Sequence, residues 1–144
     1  MIKISEHFGL EEFVAPEIFN QCKEIAISFI SERLVQGVEQ LRKTLGKPIV
    51  INNWVSGGQF KNSGLRSFDC PEGAKWSDHK FGHAADLKIT GLDSLEVQEY
   101  LSKNWAKFNQ FFTSIEKGTV GWTHVSDRFI PGWDKANPFW IPIK

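Results

Sequence analysis

Ser77-Asp78-His79-Lys80-Phe81-Gly82-His83-Ala84-Ala85-Asp86 runs from a polar, glycine-closed turn into a strand. The strand is marked by alternation: Ala85, Leu87 and Ile89 alternate with Asp86, Lys88 and Thr90, the period of a half-buried strand. Asp86 therefore lies on its polar face. Upstream, residues 53–78 carry Gly57, Gly58, Gly64, Pro71 and Gly73 among polar residues, too many breakers for a regular element. A loop this long in a compact domain is usually functional or disordered.

Working outward, two helices precede the loop. From Pro16, the residues Ile18, Phe19, Cys22, Ile25, Ala26 and Phe29 recur at helical spacing and predict one apolar stripe, with proline tolerated at the first turn. Leu34, Val38, Leu41 and Leu45 predict a second helix, stopped by Gly46 and Lys47-Pro48. The apolar run 48–52 reads as a buried strand. On the other side, Asp93-Ser94-Leu95-Glu96 resembles a capping box and opens a helix with Leu95 and Leu101 among its apolar positions. Residues 111–116 and 120–125 then flank Lys117-Gly118-Thr119, a three-residue hairpin loop. The tail 130–144, rich in proline and aromatics, is expected to pack extended across the body and to seal its core. The expected fold class is α+β, a small antiparallel sheet with N-terminal helices, in one domain spanning residues 1–144.

Composition narrows the function. Lys+Arg and Asp+Glu both number 17 in 144 residues, so no net field draws the chain to nucleic acid or to an anionic membrane. Cys22 and Cys70 sit in unlike surroundings and read as free thiols of a reducing compartment. The N-terminus has acidic residues where a secretory signal carries an apolar core, and no run approaches a membrane span. These features predict a product that is cytoplasmic at synthesis; a monomer is expected.

Three ligand-type side chains fall at strand or strand-edge positions: His79 before the turn, Asp86 on the strand leaving it, and His124 on the late hairpin. Imidazole nitrogen and carboxylate oxygen both suit zinc. Three protein ligands leave a fourth position for water, the arrangement of a catalytic site.

The quoted stretch resembles the S-x-H-x-x-G-x-A-x-D signature of the zinc D-alanyl-D-alanine carboxypeptidase family, whose fold is shared with hedgehog signalling domains. Ile51-Asn52-Asn53 and Gly64-Leu65-Arg66-Ser67 are similar to that family's strand and "YRS" segment, with Leu65 in place of tyrosine. Gly121-Trp122-Thr123-His124-Val125 is similar to its third-ligand motif, and Leu41 to Pro48 fits the phage-type branch. The resemblance implies one zinc ion on His79, Asp86 and His124, and cleavage of bacterial cell-wall peptides. That cleavage is either trimming of D-alanine or cutting of crosslinks as a phage endolysin does, after release from the cell.

By the same resemblance, Arg66 holds a substrate carboxylate or stabilises the oxyanion, and Ser77 either bonds substrate or braces its loop. Trp122 lines the cleft or packs in the core. The general base is less direct, because Gly121 stands where many relatives carry glutamate. Glu116 and Asp127 are the candidates. With a hairpin loop at 117–119, Glu116 pairs with Val120 and stands roughly 13 Å along the strand from the level of His124. An alternative function is suggested by Gly121 and Ser126: a catalytically inactive, zinc-stabilised module of a phage structure or host interaction. His7 and His83 are expected to take no part in catalysis.

Overall fold

The computed structural model describes residues 1–142. Three α-helices, α1 (Pro16–Cys22), α2 (Glu32–Leu45) and α3 (Ser94–Lys103), accompany five strands: β1 (Ile49–Val50), β2 (Ala84–Ile89), β3 (Ser114–Glu116), β4 (Thr123–Ser126) and β5 (Phe139–Ile141). The strands form one sheet in the order β1-β2-β4-β3-β5. All pairs are antiparallel except β3 with β5, so the sheet is mixed rather than purely antiparallel. The parallel pair arises because the tail returns along β3 after a long excursion, which a hairpin turn does not allow. Trp133 and Trp140 of the tail pack against the main core, and the tail's last two residues lie outside the described residues.

The period-two reading of β2 fixes the two faces of the sheet. Ala85 and Leu87 of β2 pair with Val125 and Thr123 of β4, and Ile115 of β3 also pairs with Val125. Ala85, Leu87, Ile115 and Val125 join Val38 and Leu41 of α2 and Phe108 and Phe112 in the core. The opposite face carries Asp86 level with His124. α2 is capped by Ser31, whose hydroxyl accepts from Leu34 N, and ends at Gly46 in the left-handed conformation, so the predicted stop holds.

Three local readings are revised. The stripe from Pro16 is α-helical only to Cys22. Lys23 takes a positive φ of 50° and the chain continues as a 3-10 helix over Lys23–Phe29. Three residues per turn break the 3.6-residue register, so Ile25 and Phe29 are 65% and 48% exposed while Ala26 is buried. Of the strand at 48–52, only Ile49 and Val50 pair with β2; Asn52 N instead donates to Glu12 O, drawing the chain towards the N-terminal segment. In α3, the Asp93 carboxylate accepts from Glu96 N at 2.8 Å, but Leu95 faces solvent and Val97 takes its place in the core with Leu101.

Candidate metal centre

The loop between β1 and β2 is ordered by backbone pairing that no local periodicity announces. Leu65 N donates to Phe13 O and Ala15 N to Leu65 O, which ties the loop to the N-terminal segment. Arg66 N donates to His79 O, and Asp86 N to Ser63 O. Asn52 reinforces the seam: its Nδ2 donates to Val14 O and its Oδ1 accepts from Ser63 N. Gly64 lies so close to Phe13 that any Cβ would overlap the Phe13 carbonyl. The reward for that approach is the Gly64 carbonyl, which accepts from His79 Nδ1 at 2.9 Å.

His79 sits in a short 3-10 helix, Asp78–Phe81, begun by Ser77 and closed by Gly82 in the left-handed conformation. Ser77 Oγ accepts from His79 N at 3.2 Å, so this hydroxyl braces the turn. Asp86 lies beyond it on β2 and His124 faces it from β4. His79 Nε2 lies 3.1 Å and His124 Nδ1 2.9 Å from Asp86 Oδ1. The three donor atoms all fall within 4.8 Å of one another.

Their chemistry fits a cation. A carbonyl only accepts, so His79 carries its proton on Nδ1 and turns the Nε2 lone pair towards a carboxylate oxygen. Burial reinforces this by pushing His79 below its ordinary value against the pull of Asp86. Two electron-pair donors thus face each other, an arrangement that a metal ion between them turns from repulsive to attractive. Tetrahedral zinc with bonds of 2.0–2.1 Å spaces its ligand atoms about 3.4 Å apart, and the two imidazole-to-carboxylate distances of 3.1 and 2.9 Å are a few tenths of an ångström shorter. The surrounding cleft, about 910 Å³, is lined by the carboxylates Glu72, Asp78, Asp86 and Glu116 against the guanidinium groups of Arg66 and Arg128. That surplus of two negative charges matches a divalent cation.

Glu116 is closer than the predicted hairpin allows. Ser114 pairs with Ser126 and Ile115 with Val125, so one further step brings Glu116 level with His124 rather than with Val120. Its Oε2 is 4.0 Å from His124 Nδ1. The connection between β3 and β4 is six residues, 117–122, not three. It is held by α3: Gln98 Oε1 accepts from Gly118 N, and Ser94 Oγ donates to Thr119 O. Asp127, the other candidate base, is spent elsewhere. Its carboxylate accepts from Ser31 Oγ and meets His83 Nδ1 at 2.6 Å.

Arg66 is 9% exposed and heavily engaged. Nε donates to Asn62 O at 2.6 Å, Nη1 to Glu72 O at 3.2 Å, and Nη2 lies 3.4 Å from Asp86 Oδ2. Trp122, 40% exposed, lines the cleft rather than the core. Two contributors escaped the sequence reading. Lys88 Nζ donates to Ile51 O, Ser63 Oγ and Asp86 O, knitting the chain just after β1, the loop and β2 together behind Asp86. Arg128 lines the cleft two residues beyond β4, with no motif to mark it.

Two histidines and a carboxylate gathered at one face of a sheet, open to a cleft, could hold a single metal ion in the manner of a metallohydrolase. The family model described as Peptidase M15 matches residues 11–126, and the chain belongs to that family. It is accordingly a zinc-dependent metallopeptidase. No curated protein and no solved structure matches it significantly. Among the described residues, no helix is long and apolar enough to cross a membrane.

Proposed function

We propose that the protein hydrolyses peptide bonds in bacterial cell-wall peptides, as a D,D-carboxypeptidase or as an endolysin-like endopeptidase of phage type. It acts as a monomer of one domain. His79, Asp86 and His124 hold the ion and Glu116 is the general base. The observation that carries this reading is the row Asp86, His124, Glu116 across β2, β4 and β3, which sets a carboxylate 4.0 Å from a metal ligand.

A zinc ion held by these three residues would supply Lewis acidity, lowering the pKa of water and polarising a carbonyl. Glu116 takes the proton from the attacking water and returns it to the leaving amine. Arg66, within the cleft and beside Asp86, stabilises the negative charge developing on the carbonyl oxygen. Ser77 positions His79 through its backbone, and Trp122 offers an aromatic wall to the peptide. A carboxylate at this place favours turnover over the inactive-module alternative, whose motive was the missing acid at Gly121 and Ser126.

Glu116→Gln tests the assignment. Amine release from peptidoglycan is expected to fall by about 10²–10⁴-fold with zinc content unchanged. Undiminished cleavage by the variant would remove Glu116 from the mechanism. Free D-alanine among the wild-type products marks a carboxypeptidase, and new amines without it mark an endopeptidase.

A further inference from the structure

We infer that Arg128, not Arg66, seats a carboxylate of the substrate and so sets which peptides enter the cleft; this rests on the peptidase reading above. Arg66 and Arg128 are the two cationic side chains lining the cleft among the described residues. They are not equivalent. Arg66 is buried and has each of its three nitrogens engaged, two on backbone carbonyls and one towards Asp86. Three of its five N–H donors are thus committed, and the group is fixed in place by the fold rather than free to turn to a ligand.

Arg128 is held differently. Its backbone is pinned at both ends: Arg128 N donates to Ser126 Oγ at 3.3 Å, and Arg128 O accepts from Thr113 Oγ1 at 2.6 Å. The side chain, 38% exposed, is tethered by one edge only, with Nε 3.2 Å from Asp78 Oδ2. Among the described residues neither terminal nitrogen has a partner. The free end of a guanidinium is a planar fork that binds a carboxylate through two parallel hydrogen bonds, and the Asp78 tether pre-sets its orientation. Asp78 immediately precedes His79, so the fork stands on the His79 side of the centre, while Glu116 flanks His124 from β3. A peptide lying across the ion thus meets a carboxylate clamp on one side and the base on the other. The partner of the fork is either the terminal carboxylate of the peptide or a carboxylate within the stem.

Calorimetric binding to the zinc-loaded Glu116→Gln protein tests this without turnover. The probes are one stem peptide as the free acid, as its C-terminal amide, and with its internal carboxylates amidated. Adding Arg128→Ala should weaken the free acid by about 10–100-fold. One of the amides should show the same loss with Arg128 present and no further loss without it, and which amide does so identifies the carboxylate. Arg128→Lys, which keeps the charge and loses the fork, should recover only part of the affinity. Binding unchanged by both substitutions, equal weakening of acid and amides, or no binding of any peptide would overturn the inference. Cleavage of peptidoglycan by the wild-type protein, measured alongside, reports on the peptidase reading separately.

Discussion

His79 shows how one side chain is prepared for a metal. The Gly64 carbonyl chooses its tautomer, the Ser77 hydroxyl holds its backbone, and burial keeps it neutral. Ser77 was open between bracing and substrate binding, and its bond to His79 N favours bracing. Ser77→Ala is therefore expected to lower stability by about 0.5–2 kcal/mol, the usual cost of a lost cap, with KM unchanged. Thermal unfolding and Michaelis kinetics measured together check this: a raised KM at unchanged melting temperature would assign the hydroxyl to substrate. At this scale the cluster of His79, Asp86 and His124 was legible because the signature stretch and the late histidine carry its members in order. Arg128 was not, because its significance comes from the Asp78 tether and from Arg66 being already engaged. Neither fact leaves a mark in sequence.

At the scale of elements, the turn between His79 and Asp86 depends on Gly82. Its φ of 74° is strained for any residue with a Cβ, and a Cβ there would overlap the Phe29 carbonyl. Gly82 O also accepts from Ser31 N, which links the turn to the start of α2. Gly82→Ala should cost more than about 2 kcal/mol and weaken zinc binding, because the turn must shift and carry His79 with it. Denaturant unfolding with zinc present and absent measures both effects; a variant of wild-type stability would show that the turn tolerates the change. β2 was readable because its alternation is local. The β3–β4 connection was misread because Lys117-Gly118-Thr119 has the chemistry of a short loop, while the actual loop is spread open by Gln98 and Ser94 of α3. Those are tertiary contacts, and they are what brings Glu116 level with His124. The 3-10 segment after Cys22 escaped for a similar reason, since its residues are spaced as for an α-helix and only the positive φ at Lys23 breaks the run.

For the molecule as a whole, the centre joins parts of the chain that have little else in common. His79 hangs on the loop paired to the N-terminal segment, Asp86 lies on β2, and His124 is on β4, the central strand of the sheet. An ion bound by all three crosslinks them, and so stabilises the folded state over the unfolded chain. The most direct test of the account titrates Zn²⁺ into metal-free protein while following melting temperature and amine release from peptidoglycan, for wild type and His124→Ala. The wild-type protein should gain roughly 10 °C when free zinc stands about 100-fold above the dissociation constant. Cleavage should rise in step and saturate at about one equivalent, the occupancy of a three-ligand mononuclear site. His124→Ala should show neither response over that range. Full cleavage without metal, or a zinc response that survives in His124→Ala, would contradict the account.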